Sequence, residues 1–324
     1  MPFSNFIGYN DAAALMPEEV NNYLLNRIAE TNPILQLARR LPNMSRGQTR
    51  LPVLSSLATA YFVQGHTGLK QTTEVDWENR FVDAEEVAVI VPIPENALAD
   101  SEFDIWQQIT PEIETAINVA IVQAILYGTN IPASWTANLG SPGIVAGAVA
   151  VGHNPSIAAF PDLYDAIMSE SGAGLADGAW MVVENDGYGV TGNVAHISMK
   201  GRLRGLRDLN GNPIFLQSMN TPGVYDLLGT ETYFPNDGSV NPAQSLMVSG
   251  DWDQLVWSLR QDITYKMLTE AVIQDAGGNI IFNLAQQDMV ALRVVIRLGV
   301  ALPNPINRMN PNPATRYPFS VLTA

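Results

Sequence analysis

Gly187-Tyr188-Gly189-Val190-Thr191-Gly192 has the spacing GxGxxG. Where such a run follows a strand and opens a helix, its glycines let the backbone close around a pyrophosphate, and an acid about twenty residues on takes the ribose hydroxyls. The flanks meet part of that pattern, because AWMVVEN (179–185) reads as a strand, GNVAHISMKGRLRGL (192–206) reads as a helix, and Asp208 stands at a suitable distance. Glu184, Asn185 and Asp186 nevertheless put carboxylates where the pyrophosphate would sit, and no regular βαβ alternation follows. The run is better read as a Gly-rich turn entering a helix, with Asn193 near its start.

Other chemistry fares no better. His66, His153 and His196 stand far apart with no carboxylate at ligand spacing, and the chain has no Cys to act as thiolate, zinc ligand or disulfide. There is no GxxxxGK[ST] and no GxSxG, and Ser141 in GSPG is a turn residue. The pairs Glu85/Glu86 and Glu112/Glu114 diverge on a strand or helix, so neither converges on one substrate; both read as solvated surface. No catalytic, cofactor-binding or metal-ligating residue is assigned, and the chain is not read as an enzyme. Its densest basic cluster, Arg202, Arg204 and Arg207, suits ion pairs between subunits better than nucleic acid on a chain with net charge -15.

The elements that would position these residues belong to a folded protein. With 324 residues, 47% hydrophobic and only 15% charged, disorder is excluded and two domains are expected. Of the 17 basic residues only Lys70, Lys200 and Lys266 are lysines, and a surface so poor in Lys suggests cover by other protein. No secretory signal or run of ~18 apolar residues appears, so a soluble protein made in the cytoplasm is expected.

Residues 17–31 predict a short amphipathic helix. LPVLSSLATAYFVQGH (51–66) and FVDAEEVAVIVPIPENAL (81–98) predict a long β-hairpin with a polar tip. Residues 100–128 carry the strongest helical pattern, with Ser101 and Asp104 as a capping box and an apolar stripe from Trp106 to Ala124; Pro111 predicts a kink, with Thr110 capping a second helix. The Gly/Ala/Pro-rich stretch that follows reads as a connector with a short strand, and 161–170 as a helix. QSLMVSGDWDQLVWSLRQDITYKML reads as strands joined by a turn at Gly250, MVALRVVIRLGVAL as a long strand or helix, and the Pro-rich tail from Pro303 as extended.

In this order the pieces resemble the major capsid proteins of tailed bacteriophages. ATAYFVQGHTG (58–68) is similar to the family's extended-loop strand, and PIPENALADSEFDIWQQI (92–109) to its passage into the spine helix. YGTNIPASWTANLGSPGIV (127–145) resembles its Gly-rich segment ending in Pro142-Gly143-Ile144. LRGLRDLNGNPIF (203–215), LLGTETYF (227–234) and VSGDWDQLVW (248–257) are similar to successive family segments, and NLAQQDMVALRVVIRLGVALPNP (283–305) to the terminal strand. The resemblance covers nearly the whole chain.

It implies an α+β, Hong Kong 97-like fold. The expected units are an N-terminal arm (1–50), an extended loop (51–95), a peripheral domain (96–155 and 262–324, with spine helix 102–128 and C-terminal tail) and an axial domain (156–261). The implied function is self-assembly, as pentamers and hexamers, into an icosahedral shell around double-stranded DNA that is contacted non-specifically. Expected partners are the portal and separate scaffolding or decoration proteins, with no membrane and no cofactor; the location is the virion, after assembly in the host cytoplasm. Candidate inter-subunit contacts are Lys70, Trp77, Arg80, Arg202, Arg204 and Arg207.

Some relatives cross-link a loop Lys to an Asn with the help of a Glu near the terminal strand. Lys70 lies near the loop tip, but Val294, Val295 and Ile296 stand where that Glu would be, so a non-covalent shell is expected. The arm begins within some twenty residues of Met1, so any scaffold is expected to be a separate protein. The middle third carries 10 acids and 1 base, and 102–128 carries four acids and no base, so an acidic inner lining is expected. The rival readings are an encapsulin-type nanocompartment shell of the same fold and, from another class, a nucleotide-dependent enzyme using 187–192.

Overall fold

The structure, a computed structural model, describes residues 32–63, 68–100, 105–168, 176–207, 210–211, 215–217, 225–275 and 277–324. The expected helix at 17–31, the Ser101/Asp104 capping box, His66 and Asp208 lie outside them. Asn32 caps α1 (Pro33–Leu37), its Oδ1 accepting from the amides of Ile34 and Leu35. β1 (Arg39–Arg40) follows, then β2 (Gln48–Leu54) and the long β3 (Trp77–Pro94), paired as the expected hairpin.

After α2 (Glu95–Asp100), α3 (Ile105–Tyr127) runs through Pro111 as one helix, against the expected division at Thr110. The Thr110 hydroxyl donates to the Trp106 carbonyl at 2.8 Å, inside the helix, instead of capping a new one. Ile113, Ile117, Ile121 and Ile125 are all buried. At about 1.5–3 kcal/mol each they outweigh the ~3 kcal/mol that an interior Pro costs. Residues 109–127 have the length and mean hydropathy of a membrane-crossing helix, and half of that window is buried within the fold.

The Gly-rich stretch is not a connector with a strand. It holds α4 (Ala133–Leu139) and α5 (Ile144–Val151), and its glycines are largely helix ends: Gly128, Gly140 and Gly152 follow α3, α4 and α5 at φ 70°, 73° and 84°. After α6 (Leu163–Met168), AWMVVEN forms α7 (Ala179–Asn185) instead of a strand. Its buried residues Ala179, Trp180 and Val183 fall at i, i+1 and i+4, one helical face, where a strand would bury alternate positions. The expected helix 192–206 divides into β4 (Gly192–Ala195) and α8 (Ile197–Arg204), with the His196 imidazole accepting from the Ser198 amide at the cap.

β5 (Phe215–Gln217), β6 (Tyr225–Leu227), β7 (Thr230–Tyr233) and β8 (Met247–Gly250) follow. Then come β9 (Val256–Leu268), a small hairpin of β10 (Val272–Gln274) and β11 (Ile280–Asn283), α9 (Leu284–Gln287), β12 (Met289–Ala301) and β13 (Phe319–Leu322). β12 resolves the strand-or-helix choice as strand.

One sheet has the order β1-β9-β12-β3-β2, the other β13-β8-β4-β7-β6-β5. β8 and β9, expected to pair across a turn at Gly250, lie in different sheets. The buried Trp252 anchors the crossing between them, its indole N–H donating to the Gly192 carbonyl at 2.9 Å. Two boundaries differ from the sequence division. β9, from Val256, already belongs to the five-stranded sheet, and β13, in the tail assigned to the peripheral unit, is an edge strand of the six-stranded sheet. One large core joins α3, α4 and α5 to both sheets, and a smaller one lies under α6, α7 and α8.

Candidate assembly surfaces

The loop between β2 and β3 is rooted in a seven-residue antiparallel ladder. Beyond it the two limbs are tied by single bonds, Thr59 N to Thr73 Oγ1 at 3.0 Å and Tyr61 Oη to the Gln71 carbonyl at 2.8 Å. Large apolar side chains stand exposed on it and at its root: Phe62 is fully exposed, Leu69 is 88% exposed and Trp77 66%. Lys70 is exposed beside Leu69 on the returning limb. Arg80, in the stem, meets Glu78 at 3.5 Å, but both side chains are half in solvent and such a pair contributes little. Arg80 also lines a cavity of about 300 Å³ bounded by Gly140, Gly147, Asn304 and Arg316, so it borders the tail as well as the loop.

Arg202, Arg204 and Arg207 are exposed at the end of α8. Lys200 is half-buried, its ammonium 4.1 Å from the centre of the Tyr225 ring.

The tail is held by a polar cluster that sequence reasoning missed. Asp186, which directly precedes the Gly run, is 7% exposed; its Oδ2 accepts from the Tyr317 amide at 2.8 Å and its Oδ1 from Asn310 Nδ2 at 2.7 Å. Asn307 donates to the Asp186 carbonyl at 2.7 Å. Arg316, 3% exposed, donates to the carbonyls of Asn310 and Asn304 and to Asn304 Oδ1, which also accepts from the Tyr188 hydroxyl at 2.5 Å. Burial pushes the Tyr188 phenol up to about 12. His153 Nε2 lies 3.4 Å from Asp186 Oδ2 and Nδ1 3.2 Å from the Phe319 carbonyl. Burial moves this imidazole below its ordinary range, with the Asp186 carboxylate opposing the shift. Beyond the cluster, β13 pairs with β8, and Gly147 leaves room for the Tyr317 ring, whose hydroxyl a Cβ there would strike.

The order helix, turn, strand around 187–192 is the reverse of a dinucleotide site, and Asp186 and Tyr188 are committed to the tail. The Gly run enters β4, not a helix as expected.

A groove of about 600 Å³ lies between α3 and β3, floored by small side chains such as Ala116 and Ala120 and edged by Glu86 and Glu112. The two acidic pairs are not both solvated surface. Glu114 is buried on the core side of α3, and Glu85 accepts from Ser134 Oγ at 2.5 Å.

The family model described as the phage capsid family matches residues 12–307, and the chain belongs to that family. A solved structure from Microbacterium phage Oxtober96 is 31% identical, covers 98% of this chain and 99% of its own, and superposes with a TM-score of 0.74. One from Mycobacterium phage Cain is 28% identical over 98% of both chains, with a TM-score of 0.71. The capsid of a native GTA particle shares the fold at 16% identity, covering 91% of each chain, with a TM-score of 0.57. No curated protein sequence matches. The fold is therefore Hong Kong 97-like, as the resemblance implied, and the chain is a major capsid protein, a structural subunit that assembles into an icosahedral phage shell.

Proposed function

We propose that this shell is held by non-covalent contacts and encloses double-stranded DNA, with the loop between β2 and β3 laid on a neighbouring subunit. The observation that carries the reading is the loop's apolar surface. Burying Phe62, Leu69 and Trp77 against a neighbour would contribute about 1.5–3 kcal/mol for each large side chain, repeated at every copy of the shell. Lys70 and Trp77 then face the neighbour, while Arg80 braces the stem. Val294, Val295 and Ile296 are buried apolar residues of β12, which supports a shell without the cross-linking carboxylate.

Portal and separately encoded scaffolding or decoration proteins are the further partners proposed, with assembly in the host cytoplasm. An acidic lining is also proposed, although of the acids in α3 only Glu112 reaches solvent, so it rests chiefly on residues outside that helix. Electron microscopy of purified particles, with denaturing gels and nuclease treatment, tests the set. Icosahedral particles, a single subunit band and nuclease-protected DNA are expected. A ladder of multimers would overturn the non-covalent shell, and empty or enzyme-filled particles would favour the nanocompartment.

A further inference from the structure

The six-stranded sheet has two edges of opposite charge. At the β5 edge lies α8, which packs against that strand and presents Arg202 and Arg204 in its last turn, with Arg207 just beyond. None of these forms an ion pair among the described residues, where only Arg80 with Glu78 and His153 with Asp186 do. The helix C-terminus favours cations in its last turn, but Arg207 lies outside it. The nearby acids Asp226 and Glu231 stand opposite each other in the register of β6 and β7, on the other face of the sheet, where Glu231 accepts from the Tyr233 hydroxyl. The residues on α8's side are Tyr225 and Leu227, which share its buried cluster.

At the other edge α7 lies over β13 and β8, with α6 packed on α7. This edge carries Asp162 and Glu184, both exposed, together with the partly buried Asp165 and Asp177, and the described residues of α6 and α7 contain no base.

We propose that the two edges mate between copies: the α8 arginines of one subunit dock on the acidic α6–α7 edge of the next, so that the six-stranded units close head to tail into a ring. This rests on the shell reading. A head-to-tail ring needs two different, complementary patches on one molecule, and opposite edges of one sheet place them on opposite sides of the domain. Arginine suits the task, since its planar fork meets carboxylates in two-point contact at a smaller desolvation cost than lysine. A second copy fits better than nucleic acid, because three arginines on a chain of net charge -15 make a poor electrostatic footprint for a polyanion.

Charge reversal tests the pairing in the full-length protein. The double variants Arg202→Glu/Arg204→Glu and Asp162→Arg/Glu184→Arg alter exposed side chains; circular dichroism should match the wild type, while Asp162→Arg, which removes the acceptor of the Asp165 amide at the start of α6, should lower the melting temperature by a few degrees, a loss the folded subunit tolerates. Each should raise the subunit concentration needed for assembly by roughly tenfold or more, read by sedimentation, because like charges then face each other. The quadruple variant should return to within about threefold of wild type, the signature of a direct pair. Either double variant assembling normally, or a folded quadruple variant that fails to assemble, overturns the pairing. So does a basic-edge variant that assembles normally but loses packaged DNA, which would reassign the arginines to nucleic acid. If the wild type forms no particles, the shell reading fails; if it does and the variants change nothing, only the pairing fails.

Discussion

Two segments of this chain are long, irregular and rich in turn residues, and they behave in opposite ways. The loop 55–76 carries Tyr61, Phe62, Val63 and Leu69 outward, joined across its limbs by a few exposed bonds. The tail 303–324 carries Arg316, Tyr317, Phe319 and Val321 inward and contributes a strand to a sheet. The difference lies in where the polar groups find partners. The tail's Asn304 and Arg316 bond to its backbone, and Asn307 and Asn310 meet a buried Asp186, so its apolar residues reach the core with the nearby polar groups held. No such cluster lies among the described residues of the loop, and Phe62 and Leu69 stay exposed.

Breaking the tail cluster should have the largest effect on the isolated subunit. Asp186→Ala leaves the buried Tyr317 amide without its acceptor and the half-buried Asn310 side chain with Thr315 alone, and removes the carboxylate beside His153, so unfolding free energy should fall by about 3–5 kcal/mol, measured by denaturant titration. Phe319→Ala, which empties a fully buried site against Trp252, should cost about 3–5 kcal/mol in the same assay but leave the Asp186 cluster in place.

The loop should show the converse. Phe62→Ser and Leu69→Ser should leave subunit stability within about 0.5 kcal/mol, yet lower the assembled fraction seen by sedimentation; normal assembly in the double variant would remove the contrast between loop and tail. Tyr61→Phe, which deletes only the exposed bond to the Gln71 carbonyl, should be milder still, raising amide exchange in the loop with a stability cost within about 0.5 kcal/mol and no loss of assembly.

The smallest effect is with pH. Because burial lowers the His153 value in the folded chain, the unfolded chain binds its proton more readily from about pH 6.5 downward. The stability this group contributes is complete above that pH and is lost as the pH falls through the folded value. A neutral imidazole has one proton for two acceptors, Asp186 and the Phe319 carbonyl, so the opposing attraction of the carboxylate keeps the slope shallow. His153→Gln should flatten it, and an unchanged slope would show that His153 is not its source.

Much of this was legible in the sequence. The hairpin, the continuous stripe of α3 and the terminal strand follow periods that local side chains impose, and the family resemblance rested on their order. AWMVVEN was not legible, because seven residues rich in Val satisfy either period and only the placement of Trp180 against Asn193 decides for helix. The glycines from 128 to 152 signalled breaks correctly, but they mark the ends of short helices and not a connector. The tail cluster was beyond reach, since Asp186 and Tyr317 are separated by 131 positions and nothing near either predicts the other. Of the six proposed contact residues, Lys70, Trp77 and the three arginines are exposed, whereas the surroundings of Arg80, a buried Nε beside the tail cavity, could not be read from charge.

β3 has one further consequence. Its first half is the loop's stem and its second half is registered along eleven consecutive residues of β12, from Ala84 to Pro94. At about 3.3 Å per residue its 18 residues form one strut of roughly 60 Å. A pull on the loop therefore acts along the strand, in shear, and must slip the whole β12 ladder at once instead of peeling it pair by pair. Any load placed on the loop would thus pass straight into the middle of the sheet.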